Sequence, residues 1–415
     1  MTQIFFFNEG SRASEYGIGT YVEQMSGIFL KAKDIQFNIV MTRSKENEFC
    51  VKKIYNINIF YIPDILNNDD SEIKINKYYR NTWILIRPYI STIESDKIIL
   101  HLNYYQHICF YSYFKQSFPN MKSCFTIHYM DWCFKIKGNL NYFKKIICSR
   151  KSIIKNEIER AVLEIYKKEK LLFEQIDNII CLSNKTKKIL NDYYHVSSEK
   201  MVTIYNGIED KAILLAKEEI QMLKKDLFID KEEKIILFVG RLDDIKGVDK
   251  LIMAFRKVLI NMSNCRLILV GDGYYSQYLH ESSFIWSKIT FTGHLKRNEL
   301  YKLYQIADVG VLPSFHEQCS YVAIEMMMHG IPLIVSTSTG LSEMVENGIT
   351  GFHLHVIENP DSTDLDVGIV AKKIMYLLNN PNIKKIIGHN ARLKYENTYT
   401  SKIMNENMLN LYFSI

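Results

Sequence analysis

The chain has 415 residues, more than one hydrophobic core usually supports, so two domains of about 200 residues each are expected. Hydrophobic residues make up 47% and charged residues 24%, a globular balance that excludes extended disorder. The formal net charge of +6 is mild for this length; it suits phosphate-bearing ligands or an anionic membrane surface and makes no case for nucleic acid as a partner.

Short β-rich runs alternate with longer helical stretches from end to end, the pattern of parallel sheets covered by helices on both faces. In the first half, strands are predicted at 4–7, 37–41, 57–62, 97–102, 123–128, 178–182 and 201–205. Asn206-Gly207 marks a turn, and 209–233 reads as a helix and connector. A second series follows at 235–239, 266–270, 289–292, 309–312, 333–335 and 351–355, with helices at 248–261, 298–306, 321–329 and 367–378 and a last helical stretch at 383–413. The expected fold is α/β, with a Rossmann-like domain at 1–208, a linker at 209–233 and a second Rossmann-like domain at 234–395. A C-terminal helix at 396–415 can pack back on the first domain. Two doubly wound domains facing each other leave a cleft at the carboxyl ends of their strands, so the site is expected to draw on both.

Apolar runs such as 235–239 have strand length, far from the roughly 18 residues of a spanning helix. Met1-Thr2-Gln3 runs straight into Ile4-Phe5-Phe6-Phe7 without signal-peptide features, so a cytoplasmic location is expected, with association at the inner membrane face open. The eight cysteines, at 50, 109, 124, 133, 148, 181, 265 and 319, form no C-x-x-C pair and read as reduced core thiols. Between 134 and 170, Lys135, Lys137, Lys144, Lys145, Arg150, Lys151, Lys155, Lys167, Lys168 and Lys170 interleave with apolar residues. That stretch is either a solvated helix face or a docking face for anionic lipid or a long acceptor.

The strongest chemical signal runs from Pro313 through Ser314-Phe315-His316-Glu317-Gln318-Cys319-Ser320-Tyr321 to Glu325. A strand ends near Leu312, a polar turn follows and an apolar helix opens near Ser320. Such a turn aims backbone N–H groups and the positive end of a helix at one point, so it can hold a diphosphate and part of a sugar. Glu317 belongs to the turn and Glu325 to the helix, so one carboxylate can meet the sugar and the other the ribose hydroxyls. Arg241 and Lys246 follow the strand at 235–239, within Gly240-Arg241-Leu242 and Lys246-Gly247. Two fixed cations facing a departing diphosphate stabilise the transition state more than the ground state. Arg offers forked contacts and Lys a point charge, so the two are not interchangeable. Gly17 and Gly19, lacking Cβ atoms, permit close backbone approach to a phosphate. His128 ends an apolar strand on the ligand-binding side of the first domain, whereas His101 and His107 read as structural.

The turn resembles the paired-glutamate E-x7-E motif of family 4 glycosyltransferases (glycosyl transferases group 1), retaining enzymes of the GT-B fold. Phe238-Val239-Gly240-Arg241-Leu242, with Lys246-Gly247, is similar to that family's first donor-domain strand and phosphate loop. Leu269-Val270-Gly271-Asp272-Gly273, Phe291-Thr292-Gly293-His294 and Thr339-Gly340-Leu341-Ser342-Glu343 resemble its later strand ends and segments. Gly17-Ile18-Gly19 and Val202-Thr203-Ile204-Tyr205-Asn206-Gly207-Ile208 resemble two first-domain motifs, so the likeness covers nearly the whole chain in order. It implies a bacterial, metal-independent retaining glycosyltransferase of the kind used in polysaccharide biosynthesis. It implies no cofactor, a UDP-, GDP- or ADP-linked sugar as donor, and a glycan, lipid-linked or peptide acceptor. Its implied catalytic residues are Arg241, Lys246, Glu317 and His128. Donor contacts are implied for Gly17, Gly19, Gly240, Gly271, Ser320, Tyr321 and Glu325.

Two departures stand out. Many relatives place glycine after the first glutamate, where this chain has Gln318-Cys319-Ser320, a form similar to a bacterial subgroup found beside peptide-modification systems. The acidic residue that often closely follows the histidine is here Asp131, three positions on. No D-x-D pair sits in a metal-binding setting, since Asp364-Leu365-Asp366 lies far along the chain from the phosphate loop. A nucleotide-sugar 2-epimerase would need further carboxylates in the first domain, and a non-catalytic nucleotide-sugar-binding protein would not need both cations with both glutamates.

Overall fold

The computed structural model describes residues 2–10, 17–30, 34–67, 70–90, 97–149, 156–212 and 214–415, which fall into two compact units. The first unit comprises Met1–His128, Tyr166–Asn206 and Ser401–Ile415. Its sheet contains β1 (Thr2–Glu9), β2 (Ile35–Ser44), β3 (Cys50–Ile54), β4 (Ile57–Pro63), β5 (Lys97–Leu102), β6 (Lys122–Ile127), β7 (Asn178–Cys181) and β8 (Met201–Thr203). The strand order is β3-β4-β2-β1-β5-β6-β7-β8, parallel except for the edge pair of β3 with β4. Ile4, Phe5, Phe6 and Phe7 are all fully buried, because a parallel strand covered on both faces needs a continuous apolar run and not an alternating one.

The second unit comprises Tyr129–Ile165 and Gly207–Thr400. Its parallel sheet contains β9 (Lys234–Val239), β10 (Cys265–Val270), β11 (Ile289–Gly293), β12 (Val309–Leu312), β13 (Leu333–Ser336) and β14 (Gly351–Leu354). The order is β11-β10-β9-β12-β13-β14, so the winding reverses between β9 and β12. In an open α/β sheet that reversal point is where ligands bind, at the carboxyl ends of the strands. A short antiparallel hairpin, β15 (Val356–Glu358) with β16 (Thr363–Leu365), follows. The core between sheet and helices is built from residues such as Phe238, Val248, Leu251, Phe255, Leu269, Val311 and Ile374.

The units do not follow the single boundary expected near residue 208. Residues 129–165 pack with the second unit, and the reason is a set of directional bonds invisible to local patterning. Asn139, fully buried, caps the Leu140–Cys148 helix through Tyr142 N at 2.8 Å. Its amide donates to the carbonyls of Asn359 at 2.8 Å and Ser362 at 2.9 Å. The Glu358 carboxylate accepts from the backbone N–H groups of Leu140 at 3.2 Å and Asn141 at 3.0 Å. The predicted helical stretch at 383–413 is two helices, Pro381–Thr398 in the second unit and Ser401–Ser414 in the first. Before the break, Ile208 N donates to Tyr399 O at 3.0 Å.

The basic stretch at 134–170 is divided between the units, and Arg150, Lys151 and Lys155 lie outside the described residues. The cysteines are free; Cys124, Cys133, Cys181, Cys265 and Cys319 are buried as expected of core thiols, but Cys50 and Cys109 are half-buried and Cys148 is exposed. Among the described residues no helix is long and apolar enough to cross a membrane.

Candidate active site

The reversal point of the second sheet is built by two loops pressed together. After β9, Gly240 takes φ +151° and its N–H donates to Val270 O at 2.9 Å. Gly271, with φ +135°, ends β10 so close that a Cβ there would lie 1.9 Å from Gly240 O. Strand-end packing therefore already accounts for glycine at these two positions, apart from any ligand. The short turn Asp244–Lys246 stops at Gly247, and Phe315 N donates back to Ile245 O at 2.7 Å. The loop after β9 thus docks on the loop after β12. Lys246 Nζ forms an ion pair with Glu317 Oε1, with the two side chains 17% and 20% exposed. Ser314 Oγ adds a contact to the same oxygen at 3.4 Å. Arg241 is held by Asp243 at 3.0 Å.

The Tyr321–Met328 helix begins beyond the turn, with Ser320 as its N-cap accepting from Ala323 N at 3.3 Å. Ser320 thereby satisfies one of the unpaired N–H groups of the helix start. Tyr321, next to it, is buried. Glu325 is also buried; it accepts from Tyr304 at 2.9 Å and from Tyr301 at 3.4 Å, one tyrosine to each oxygen. A carboxylate offers about four lone-pair sites, so these bonds orient it without exhausting it. Burial, then the Glu325 charge, pushes both tyrosine hydroxyls well above their usual pKa. Sequence reasoning missed Tyr301 and Tyr304, although their spacing on the Arg297–Ile306 helix puts both rings on one face.

It also missed His316. This side chain is 5% exposed, with Nδ1 3.3 Å from Thr339 Oγ1 and its ring edge-on to Phe134 at 6.2 Å. Burial, reinforced by the Lys246 charge, lowers its pKa to about 3.

Three predicted residues belong to the first unit. Gly17 and Gly19 open the Gly17–Phe29 helix, Gly17 exposed and Gly19 half-buried. His128 directly follows β6, and Nε2 meets Asn103 Oδ1 at 2.9 Å. Asn103 Nδ2 donates to Phe7 O at 2.9 Å, which fixes the amide orientation. His128 Nε2 must then carry the proton, leaving Nδ1 as an acceptor. The Tyr21 ring stands edge-on at 4.6 Å, and burial lowers the His128 pKa to about 3. Tyr21, Thr126, His101 and Tyr412 continue inward as a buried hydrogen-bonded chain. His101 and His107 are fully buried in the core of this unit. Asp131, by contrast, opens the Asp131–Ile136 helix in the second unit, and burial raises its pKa.

Among the described residues no group of three or more His, Cys, Asp or Glu side chains is placed to hold a metal ion. Asp244 faces Lys137 at 3.8 Å and Asp364 faces Lys250 at 2.7 Å.

Comparison with known proteins identifies the family and the fold. Residues 219–394 match the family "Glycosyl transferases group 1", and residues 17–212 match "Glycosyltransferase Family 4". An uncharacterized glycosyltransferase of Methanocaldococcus jannaschii is 30% identical over 300 residues, 69% of this chain and 74% of its own. Among solved structures, sucrose-phosphate synthase from Thermosynechococcus elongatus superposes with a TM-score of 0.76 at 20% identity, covering 100% of this chain and 99% of that one. Anabaena HepE in complex with UDP-glucose does so with a TM-score of 0.70 at 14% identity over 100% of both chains. At these identities the structural likeness speaks for the fold, which is GT-B.

Proposed function

Because the chain belongs to glycosyltransferase family 4, the glycosyl transferases group 1, we propose that it moves a sugar from a nucleotide diphosphate held by the second unit to an acceptor hydroxyl, with retention and without a metal. The observation that carries this reading is the Lys246–Glu317 ion pair, 71 residues apart in sequence, which binds the loops after β9 and β12 into one charged turn. Arg241 and Lys246 face the diphosphate and neutralise the charge that builds as the sugar–phosphate bond breaks. The N-terminus of the Tyr321–Met328 helix adds its backbone N–H groups to the same charge. Glu317 holds the Lys246 ammonium and presents its second oxygen to the sugar. Glu325, oriented by Tyr301 and Tyr304, accepts from the ribose hydroxyls.

In the first unit, neutral His128 offers Nδ1 as an acceptor to a substrate hydroxyl. Retention follows from attack on the face the phosphate leaves. The C1–phosphate oxygen bond breaks, the acceptor oxygen bonds to C1 from the same side, and the acceptor proton passes to the departing phosphate. No protein nucleophile enters, unlike the double displacement of retaining glycosidases. The acceptor is a glycan, a lipid-linked sugar or a peptide. Two cations fixed by carboxylates do for the leaving group what a divalent metal does in other sugar transferases, so the chelator EDTA should leave donor binding unchanged.

The test is calorimetry of the purified protein against UDP, GDP, ADP and their sugar conjugates, with and without EDTA. One nucleotide series binding equally in both conditions is the expected result. Binding that EDTA abolishes refutes metal independence, and no binding in any series refutes the donor assignment.

A further inference from the structure

His316 immediately precedes Glu317, in a turn whose backbone is anchored on both sides. Phe315 N is bonded to Ile245 O at 2.7 Å, and Glu317 O accepts from Gly340 N at 2.6 Å. The imidazole is therefore placed by the fold and does not drift as a surface side chain does. It is 5% exposed, and Thr339 takes up one ring nitrogen. The other, Nε2, is buried without a hydrogen-bond partner among the described residues. Buried polar atoms are nearly always paired, and leaving one idle costs the fold free energy, so an idle one beside a charged turn asks for a ligand atom.

The chemistry narrows that ligand. Burial, with the Lys246 charge adding to it, opposes protonation of His316, so the ring is kept neutral. With Nδ1 engaged by Thr339, the neutral ring has Nε2 left as either an N–H or a lone pair, and a hydroxyl, itself both donor and acceptor, can meet either; a phosphate calls for the cations already present at Arg241 and Lys246. The ribose hydroxyls have Glu325. We infer that His316 Nε2 hydrogen-bonds a hydroxyl of the transferred sugar and so helps select which sugar the second unit accepts. This rests on the nucleotide-sugar reading above. The competing role is packing alone, with the ring serving as an edge against Phe134.

The experiment separates the sugar from the nucleotide. Affinities of UDP, GDP and ADP, and of their glucose, galactose, N-acetylglucosamine and mannose conjugates, are measured by calorimetry for wild type, His316→Phe and His316→Gln, with a thermal melt of each. In wild type the preferred conjugate binds more tightly than its bare nucleotide. His316→Phe should lose about 2- to 10-fold of that gain, the worth of one neutral hydrogen bond, while bare nucleotide affinity stays within about twofold. His316→Gln, which again presents a donor and an acceptor, should recover part of it. His316→Leu replaces His316→Phe if the larger ring does not fold.

An unchanged gain in a folded apolar variant overturns the inference and leaves the donor reading standing. Equal loss for bare nucleotide and conjugate also overturns it, because His316 then acts on the loop and not on the sugar. If wild type binds no nucleotide at all, both fall together.

Discussion

Replacing Lys246 by methionine removes the ammonium and keeps most of the stem, which makes it the sharpest test of the charged turn. The two partners are 17% and 20% exposed, so the pair is shielded but not dry. Its loss leaves Glu317 with Ser314 Oγ at 3.4 Å as its remaining hydrogen-bond partner in the turn. That should cost about 1–3 kcal/mol of stability, or a few degrees of melting temperature in a unit of this size. The kinetic effect should be larger. Losing one preorganised donor to a developing anion lowers kcat by about 10²- to 10³-fold, or roughly 3–4 kcal/mol of barrier. Release of nucleoside diphosphate from saturating donor, to acceptor or to water, measures it. Lys246→Arg should recover part of the rate, since it restores the charge but not the point geometry. A Lys246→Met protein that melts normally and keeps kcat within about threefold of wild type would refute leaving-group stabilisation by this residue.

Three other outcomes test the fold beneath the site. The pKa values of His101 and His316 fall from 6.5 to about 3 on folding, so between those values the unfolded chain binds more protons and stability drops as pH falls. At pH 5.5 the two together should cost about 3 kcal/mol relative to pH 8, and a melting temperature flat from pH 8 to 5.5 would contradict the burial argument. Gly271→Ala puts a Cβ 1.9 Å from Gly240 O at φ +135°, and should destabilise by roughly 3 kcal/mol; a change in melting temperature under 2 °C, about 1 kcal/mol, would count against the packing described. Asn139→Ala removes a cap and two bonds to the Asn359 and Ser362 carbonyls, at about 3 kcal/mol, and should speed hydrogen exchange near residues 358–363; unchanged protection there would show that the clamp is slack.

The α/β alternation was readable because parallel strands covered on both faces appear as unbroken apolar runs, as at 4–7 and 235–239. Where a strand is exposed or only a few residues long the signal fails. β3 carries exposed Lys52 and Lys53, and β15 and β16 have three residues each, so neither pattern nor length announced them. The paired glutamates and both cations were legible because residue type and spacing carry their chemistry. Tyr301 and Tyr304 were not, since a tyrosine on a helix face reads as core until the carboxylate it serves is seen. His316 was hidden for a related reason: its interest lies in burial with one nitrogen idle, and burial inside a polar turn is a tertiary fact. The allegiance of 129–165 rests on bonds between residues some 220 positions apart, such as Asn139 with Asn359, which no local window can contain.

That allegiance bears on how the protein is made. The helices Asp131–Ile136 and Leu140–Cys148, with Trp132 stacked on Phe143 at 4.1 Å, leave the ribosome long before the strands they belong with. Glu358, which receives Leu140 and Asn141, follows roughly 200 residues later, a delay of about 10–40 s at ordinary synthesis rates. Throughout that interval the nascent first unit carries an apolar segment whose permanent partner does not yet exist. A chaperone-poor translation system should therefore yield more aggregate from a chain stalled near residue 300 than from one stalled past residue 400, where the segment can at last be received.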